Sequence, residues 1–220
     1  MTTRRVVLAN EEYYHVYNRG VDKREIFHDR HDSDRFFRSM VAFNTVNPVG
    51  SLRHVDLERK NSGETPVNSE PLVEIIAYCL NQNHFHLLLK QKVDGGVSEF
   101  MKRLAGGYTW YFNNKYDRSG VLFQGIFKSS HIDVNEYLLH VSVYVNLNFR
   151  VHKYRDKALE NIRSSWDEYI GTCDSQNIIC VKDSILEQFK GKNTYENFAE
   201  KSLVGIIERK KIGQELTIEE

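Results

Sequence analysis

The hydrophobic positions of this chain fall into runs whose spacing predicts strand or helix. Tyr13-Tyr14-His15-Val16-Tyr17 is a run of β-formers that leaves through the turn residues Asn18-Arg19-Gly20, so a strand is expected there. Phe36, Phe37, Met40, Val41 and Phe43 then recur at helical spacing, with Asp32-Ser33 as the expected cap and Asn47-Pro48 as the stop. All three prolines, Pro48, Pro66 and Pro71, fall between 48 and 71, which predicts an irregular insertion, with a short strand over Leu52 to Leu57. From about Val73 to Gln91 an apolar stretch broken by Asn81-Gln82-Asn83 reads as two strands joined by a tight turn. Val97, Phe100, Met101, Leu104, Tyr108, Tyr111 and Phe112 mark a helix over about 98–115, interrupted by Gly106-Gly107. Each glycine costs about 1 kcal/mol against alanine inside a helix, so the pair asks for a reason such as the close approach of another backbone. A loop and strand follow over 120–133. Asp133 and Glu136, at capping-box spacing, are expected to open a helix buried along Val134, Leu138, Val141 and Val145. Beyond His152 the apolar positions suggest short helices, one capped by Asn193, with a charged, frayed end over 208–220.

One strand carries chemistry. Side chains alternate between the faces of a strand, so His84 and His86 point one way while Phe85 and Leu87 point the other. Two imidazoles on one face can share a metal ion, although a bare His-x-His is more often a hydrogen-bonded pair. The flanking Leu87-Leu88-Leu89 would hold both rings rigidly in a core. A divalent ion still needs a third protein donor and open positions for water or substrate. Tyr144 and Asn148 lie four apart on the late helix and reach toward one spot, where that donor could arise.

At 220 residues and 40% hydrophobic content the chain can bury one sizeable core and a small second unit. Thirty basic and thirty acidic residues cancel, so a nucleic-acid partner has to be met by a local basic patch. Lys102, Arg103, Lys115, Arg118 and Lys128 outnumber Glu99 and Asp117 on one helix and its exit, and Trp110, Tyr111, Phe112 and Phe123 interleave as stacking surfaces for unpaired bases. Arg19 stands at the mouth of the first turn. A run of charge by itself usually marks a solvated face. The cysteines Cys79, Cys173 and Cys180 have no Cys-x-x-Cys spacing, which argues against a thiolate zinc site or a disulfide framework and fits a reducing cytoplasm. Neither a signal peptide nor a membrane span is expected.

Together these stretches resemble the IS200-like single-tyrosine HUH transposases, in particular the REP-associated tyrosine transposases. Tyr14-His-Val-Tyr-Asn-Arg-Gly20 resembles the family's opening and Asn83-His-Phe-His-Leu-Leu-Leu89 its HUH motif. Tyr111-Phe-Asn113 through Gly120-x-Leu-Phe-Gln-Gly-x-Phe-Lys-Ser129 resembles the linking segment, and Tyr144-Val-Asn-Leu-Asn148 the nucleophile helix. Gln82, Ile126 and Phe149 depart from the pattern, which commonly has proline, arginine and proline there.

The resemblance implies an α+β fold, a ferredoxin-like βαββαβ antiparallel sheet with helices on one face. It divides the chain into a catalytic domain over 1–150, with the insertion at 48–71, and a helical C-terminal appendage over 151–220. It makes Tyr144 the nucleophile, with Tyr137 as a rival expected to pack in the core, and His84, His86 and Asn148 the ligands of Mg²⁺ or Mn²⁺. The expected activity is that of a metal-dependent single-strand DNA endonuclease and strand-transferase, cleaving near hairpin ends through a 5′-phosphotyrosine. Arg19, Lys102, Arg103, Lys115, Arg118 and Lys128 are then the expected DNA contacts, and a homodimer is left open. A hairpin-binding protein of the same fold without turnover, and a metal-binding or structural protein without a DNA role, are the competing readings.

Overall fold

In the computed structural model, which describes residues 7–47, 49–55, 57, 70–152, 159–190 and 192–211, the regular elements arrive in the expected order. Strand β1 (Tyr13–Arg19), helix α1 (Arg30–Ala42), strands β2 (Val73–Asn81) and β3 (His84–Gln91), helix α2 (Gly96–Lys115) and strand β4 (Lys128–Ile132) make a βαββαβ unit. The sheet runs β4-β1-β3-β2-β5, with every neighbouring pair antiparallel, where β5 (Arg163–Ser164) is a short strand contributed by the C-terminal stretch. This is the ferredoxin-like arrangement with β3 at its centre.

Alternation along the strands decides what each face meets. Tyr14, Val16, Phe85, Leu87 and Leu89 lie in one cluster with Phe36 and Met40 of α1 and Phe100, Leu104 and Tyr108 of α2. The two crossover helices therefore share one face. Ala77 and Leu88 face the other way, where helix α3 (Asn135–Asn146) covers them with Val141, Tyr144 and Val145. After α3 come the short helices α4 (Asn148–Val151), α5 (Trp166–Ile170) and α6 (Asp183–Leu186), then the long α7 (Lys192–Lys211). Ile185 of α6 and Tyr195, Ala199, Leu203 and Ile206 of α7 join that second cluster. No helix among the described residues is long and apolar enough to cross a membrane.

Local chemistry moves several boundaries. Helix α1 starts earlier than expected, because the Asp29 side chain, not Asp32-Ser33, caps it by accepting the Asp32 N–H at 3.0 Å, while Asp32 accepts the His28 N–H. Residues 52–55 form one helical turn rather than a strand, since Ser51 Oγ accepts the His54 N–H in the manner of an N-cap. Asp133 does not cap α3. Ile132 is still paired with Tyr13 and Val134 is extended, so the first helical carbonyl is that of Val134, which accepts the Leu138 N–H and leaves the Val134 side chain exposed. Asn193 lies inside α7, and residues 208–211 continue that helix. Most of the expected insertion, 58–69, and the end of the chain, 212–220, lie outside the described residues.

The two glycines of α2 differ. A Cβ on Gly107 would come within 3.0 Å of the Phe43 ring, so the close approach comes from a side chain and not from a backbone, whereas a Cβ on Gly106 meets nothing among the described residues within 4 Å. Gly106→Ala is therefore expected to stabilise the protein by about 0.5–1 kcal/mol in denaturant unfolding, by restricting the unfolded chain and raising helix propensity. Gly107→Ala is expected to lose that gain against Phe43.

Candidate metal and nucleophile site

Strand register lays the site out as a grid. Tyr17 of β1 sits opposite His86 and Arg19 opposite His84, while Cys79 and Asn81 of β2 sit opposite the same two histidines from the other side. Lys128 of β4 pairs with Tyr17. Because paired residues share a face, the sheet presents His15, Tyr17, Arg19, Asn81, His84, His86 and Lys128 to the side that α3 covers.

His84 is held at both ring nitrogens. Its Nδ1 lies 2.7 Å from Asn83 Oδ1, and Asn83 Nδ2 donates to the Lys23 carbonyl, so Asn83 offers its oxygen and His84 carries its proton on Nδ1. The Nε2 lone pair is thus turned toward Asn81 Nδ2 at 3.0 Å and Asn148 Oδ1 at 3.2 Å. Asn81 Nδ2 also donates to Asn148 Oδ1 at 2.8 Å. A nitrogen lone pair and an amide oxygen facing each other gain nothing directly. Two donors of one cation, each about 2.1 Å from it at a right angle, stand about 3 Å apart, which is the spacing seen here.

His86 is buried, its Nδ1 lies 2.9 Å from His15 Nε2, and its Nε2 has no hydrogen-bond partner among the described residues. Burial, with the nearby His84, His15, His152 and Lys210 adding to it, pushes its pKa well below the ordinary histidine value, so the ring is neutral. An orphaned nitrogen on a buried neutral imidazole suits a metal ligand. Among the described residues no three His, Cys, Asp or Glu side chains form a metal-holding group. The third protein donor in this arrangement would therefore be the amide oxygen of Asn148. Cys79 is no thiolate candidate, because burial pushes its thiol up to about 12 and the protonated group donates to Asn81 Oδ1.

Helix α3 stops at Asn146, and Leu147, at φ −108° and ψ 15°, separates it from α4. Tyr144 and Asn148 are thus not on one unbroken helix. Two buried asparagines pull in different directions across the break. Asn146 is tied to Tyr195 and Ser165, while Asn148 is tied to Asn81. Both expected residues still reach the histidines, Asn148 over His84 and Tyr144 with its ring centroid 5.4 Å from His86 and 5.9 Å from His15, edge-on to each. Tyr144 is fully buried. Tyr137 is partly buried against the second cluster.

A cleft of about 550 Å³ opens onto His84 and His86, with Tyr17, Arg19, Lys23, Gln124, Lys128 and His152 around it. The Arg19 guanidinium bonds to Gln124, and Lys128 stands over the Tyr17 ring at 5.9 Å. His152 packs on His84 at 4.6 Å, and burial brings its pKa down to about 3, helped by His84 and Lys210.

Of the expected basic contacts, Arg19 and Lys128 line this cleft. The other four sit on or beside α2, across the sheet, each with partners on that side: Lys102 and Arg103 on Glu99, Lys115 on Asp29 and Asp32, and Arg118 on Asn113 and the Phe112 ring. Among the expected stacking aromatics, Phe112 and Phe123 are core, Tyr111 donates to Asp32, and Trp110 is exposed. Sequence reasoning missed His15, Asn81, Lys23 and His152. The signal for His15 was its even spacing from Tyr17 and Arg19 along one strand.

Residues 65–148 match the family described as "Transposase IS200 like". No curated protein matches the chain. A solved structure described as "Structure of the REP associates tyrosine transposase bound to a REP hairpin" is 12% identical, covering 78% of this chain and 86% of that one, with a TM-score of 0.45.

Proposed function

We propose, from the match of residues 65–148 to the IS200-like transposase family, that the protein is a metal-dependent single-strand DNA endonuclease and strand-transferase acting near hairpin ends. The observation that carries this is convergence: a phenol edge-on to His86, and an amide oxygen 3.2 Å from the lone pair of His84. In this reading Tyr144 Oη attacks a backbone phosphorus in line. The Oη–P bond forms as the P–O3′ bond breaks, the phenol loses its proton, and the leaving 3′ oxygen gains one. One phosphodiester replaces another, so the strand end can be rejoined without ATP.

Mg²⁺ or Mn²⁺, held by His84, His86 and Asn148, would supply charge stabilisation to a non-bridging phosphate oxygen. The chain's own residues do the rest. Asn83 sets the proton of His84, Asn81 holds Asn148 Oδ1, and the grid of β1, β3 and β2 keeps the two imidazoles fixed. Arg19, Lys23 and Lys128 around the cleft suit a phosphate backbone. The division into a catalytic domain over 1–150 and a helical extension over 151–220 is part of the same proposal.

The test is a labelled single-stranded oligonucleotide carrying a hairpin, incubated with Mn²⁺. A protein–DNA adduct that survives denaturation is expected; its absence across hairpins and flanks of varied sequence removes the proposal. A second reading, hairpin binding without turnover, is favoured by the full burial of Tyr144. Tight binding with no adduct would select it. In either reading Arg19→Ala and Lys128→Ala are each expected to lower the slope of log affinity against log salt by about 1, as each phosphate contact releases counterions. Lys102→Ala, across the sheet on Glu99, is expected to leave the slope unchanged.

A further inference from the structure

We propose that His15 is the positioning residue that sets the tautomer of His86, accepting its Nδ1 proton so that the Nε2 lone pair is open to a divalent cation; this rests on the metal-dependent reading above. His15 is fully buried and its Nε2 lies 2.9 Å from His86 Nδ1, with the two rings within 12° of parallel. One proton lies between these nitrogens, and there are two ways to place it. If His15 donates, the proton of neutral His86 sits on Nε2, where it blocks coordination. If His86 donates, Nε2 carries a lone pair. Only the second arrangement makes His86 a ligand.

The surroundings hold His15 in that role. Tyr17 stacks on both rings, 5.0 Å from His15 and 5.7 Å from His86, and the Tyr144 ring stands edge-on to His15. Register explains the reach. Tyr17 is directly opposite His86, and His15 is two residues along β1 on the same face, at the diagonal distance that a long ring spans. His84 receives the same service from Asn83, a neighbour in sequence, whereas His86 obtains it from another strand. An outer partner of this kind orients its ligand and raises its basicity.

Two measurements decide it. In the metal-free protein, long-range ¹H–¹⁵N spectra of the imidazoles are expected to show His86 with its proton on Nδ1; a proton on Nε2 overturns the assignment. Calorimetric titration with Mn²⁺ is expected to show His15→Phe binding about 10–100-fold more weakly than wild type. His15→Gln, whose amide oxygen reaches a similar place as an acceptor, should recover most of that loss. If His15→Phe binds Mn²⁺ as tightly as wild type, the role of His15 falls while the proposed function stands. If wild type itself binds no Mn²⁺, the metal-dependent reading falls and takes this inference with it. Should His15→Phe fail to fold, the wild-type tautomer alone decides between the two proton placements.

Discussion

Tyr144→Phe is expected to abolish the covalent adduct and reduce strand cleavage to the uncatalysed background, while Mn²⁺ affinity and hairpin affinity stay at wild-type values. The change removes one oxygen, the one that would form the bond to phosphorus. A phenol with a pKa near 10 is about 0.1% ionised at neutral pH, so forming the phenolate costs about 4 kcal/mol. The ring itself contributes separately. It is fully buried, lies among Val141, Val145 and Leu88, and stands edge-on to His15 and His86, all of which phenylalanine preserves. Loss of the hydroxyl is expected to cost only about 0.5–1.5 kcal/mol of stability. Denaturing gels read the adduct, and thermal unfolding shows that the variant is folded. Tyr137→Phe is the control, since Tyr137 packs against the same cluster two turns earlier and is expected to keep full adduct formation. An adduct formed by Tyr144→Phe would show that another side chain is the nucleophile.

How much of the fold and site is legible in the sequence depends on whether the information is local. His84 and His86 share a face because alternation on one strand requires it, and the apolar run around them already implies a central strand. Tyr144 and Asn148 are legible as a pair by helical spacing, although the helix breaks between them at Leu147, because Asn146 is pulled toward Tyr195 and Ser165. His15 and Asn81 are not legible as partners of His86 and His84. Their relation to His86 and His84 depends on the register of β1 and β2 against β3, and register is set by pairing across the sheet. The basic residues of α2 fail for a related reason. Arg103 pairs with Glu99 one turn away, but Lys115 finds Asp29 and Asp32 far back in the sequence, so a run that looks available to DNA is neutralised by the tertiary fold. Arg19 and Lys128 stand out because each ends or begins a strand next to the histidines.

Replacing His86 should separate metal binding from folding more sharply than any other change at the site. In the metal-free protein His86 is buried with Nε2 unpartnered among the described residues, and an unsatisfied buried polar group costs about 1–3 kcal/mol. His86→Leu removes that group but also the hydrogen bond to His15 Nε2 at 2.9 Å, which costs a similar amount. The two effects oppose each other, so metal-free stability is expected to remain near wild type. Metal breaks the balance. At 100 times its dissociation constant, Mn²⁺ should stabilise wild type by about 2.7 kcal/mol, because it binds only the folded protein. His86→Leu should lose nearly all of that increment. Its Mn²⁺ affinity should fall by at least about 100-fold, beyond the range for removal of an outer partner, and adduct formation should disappear with it. His84→Ala is expected to behave alike toward metal, since its Nε2 lone pair faces Asn148 Oδ1. Thermal unfolding with and without Mn²⁺ reads both quantities. A Mn²⁺-induced rise in His86→Leu equal to that of wild type would place the cation elsewhere and leave the buried imidazole as a packing residue.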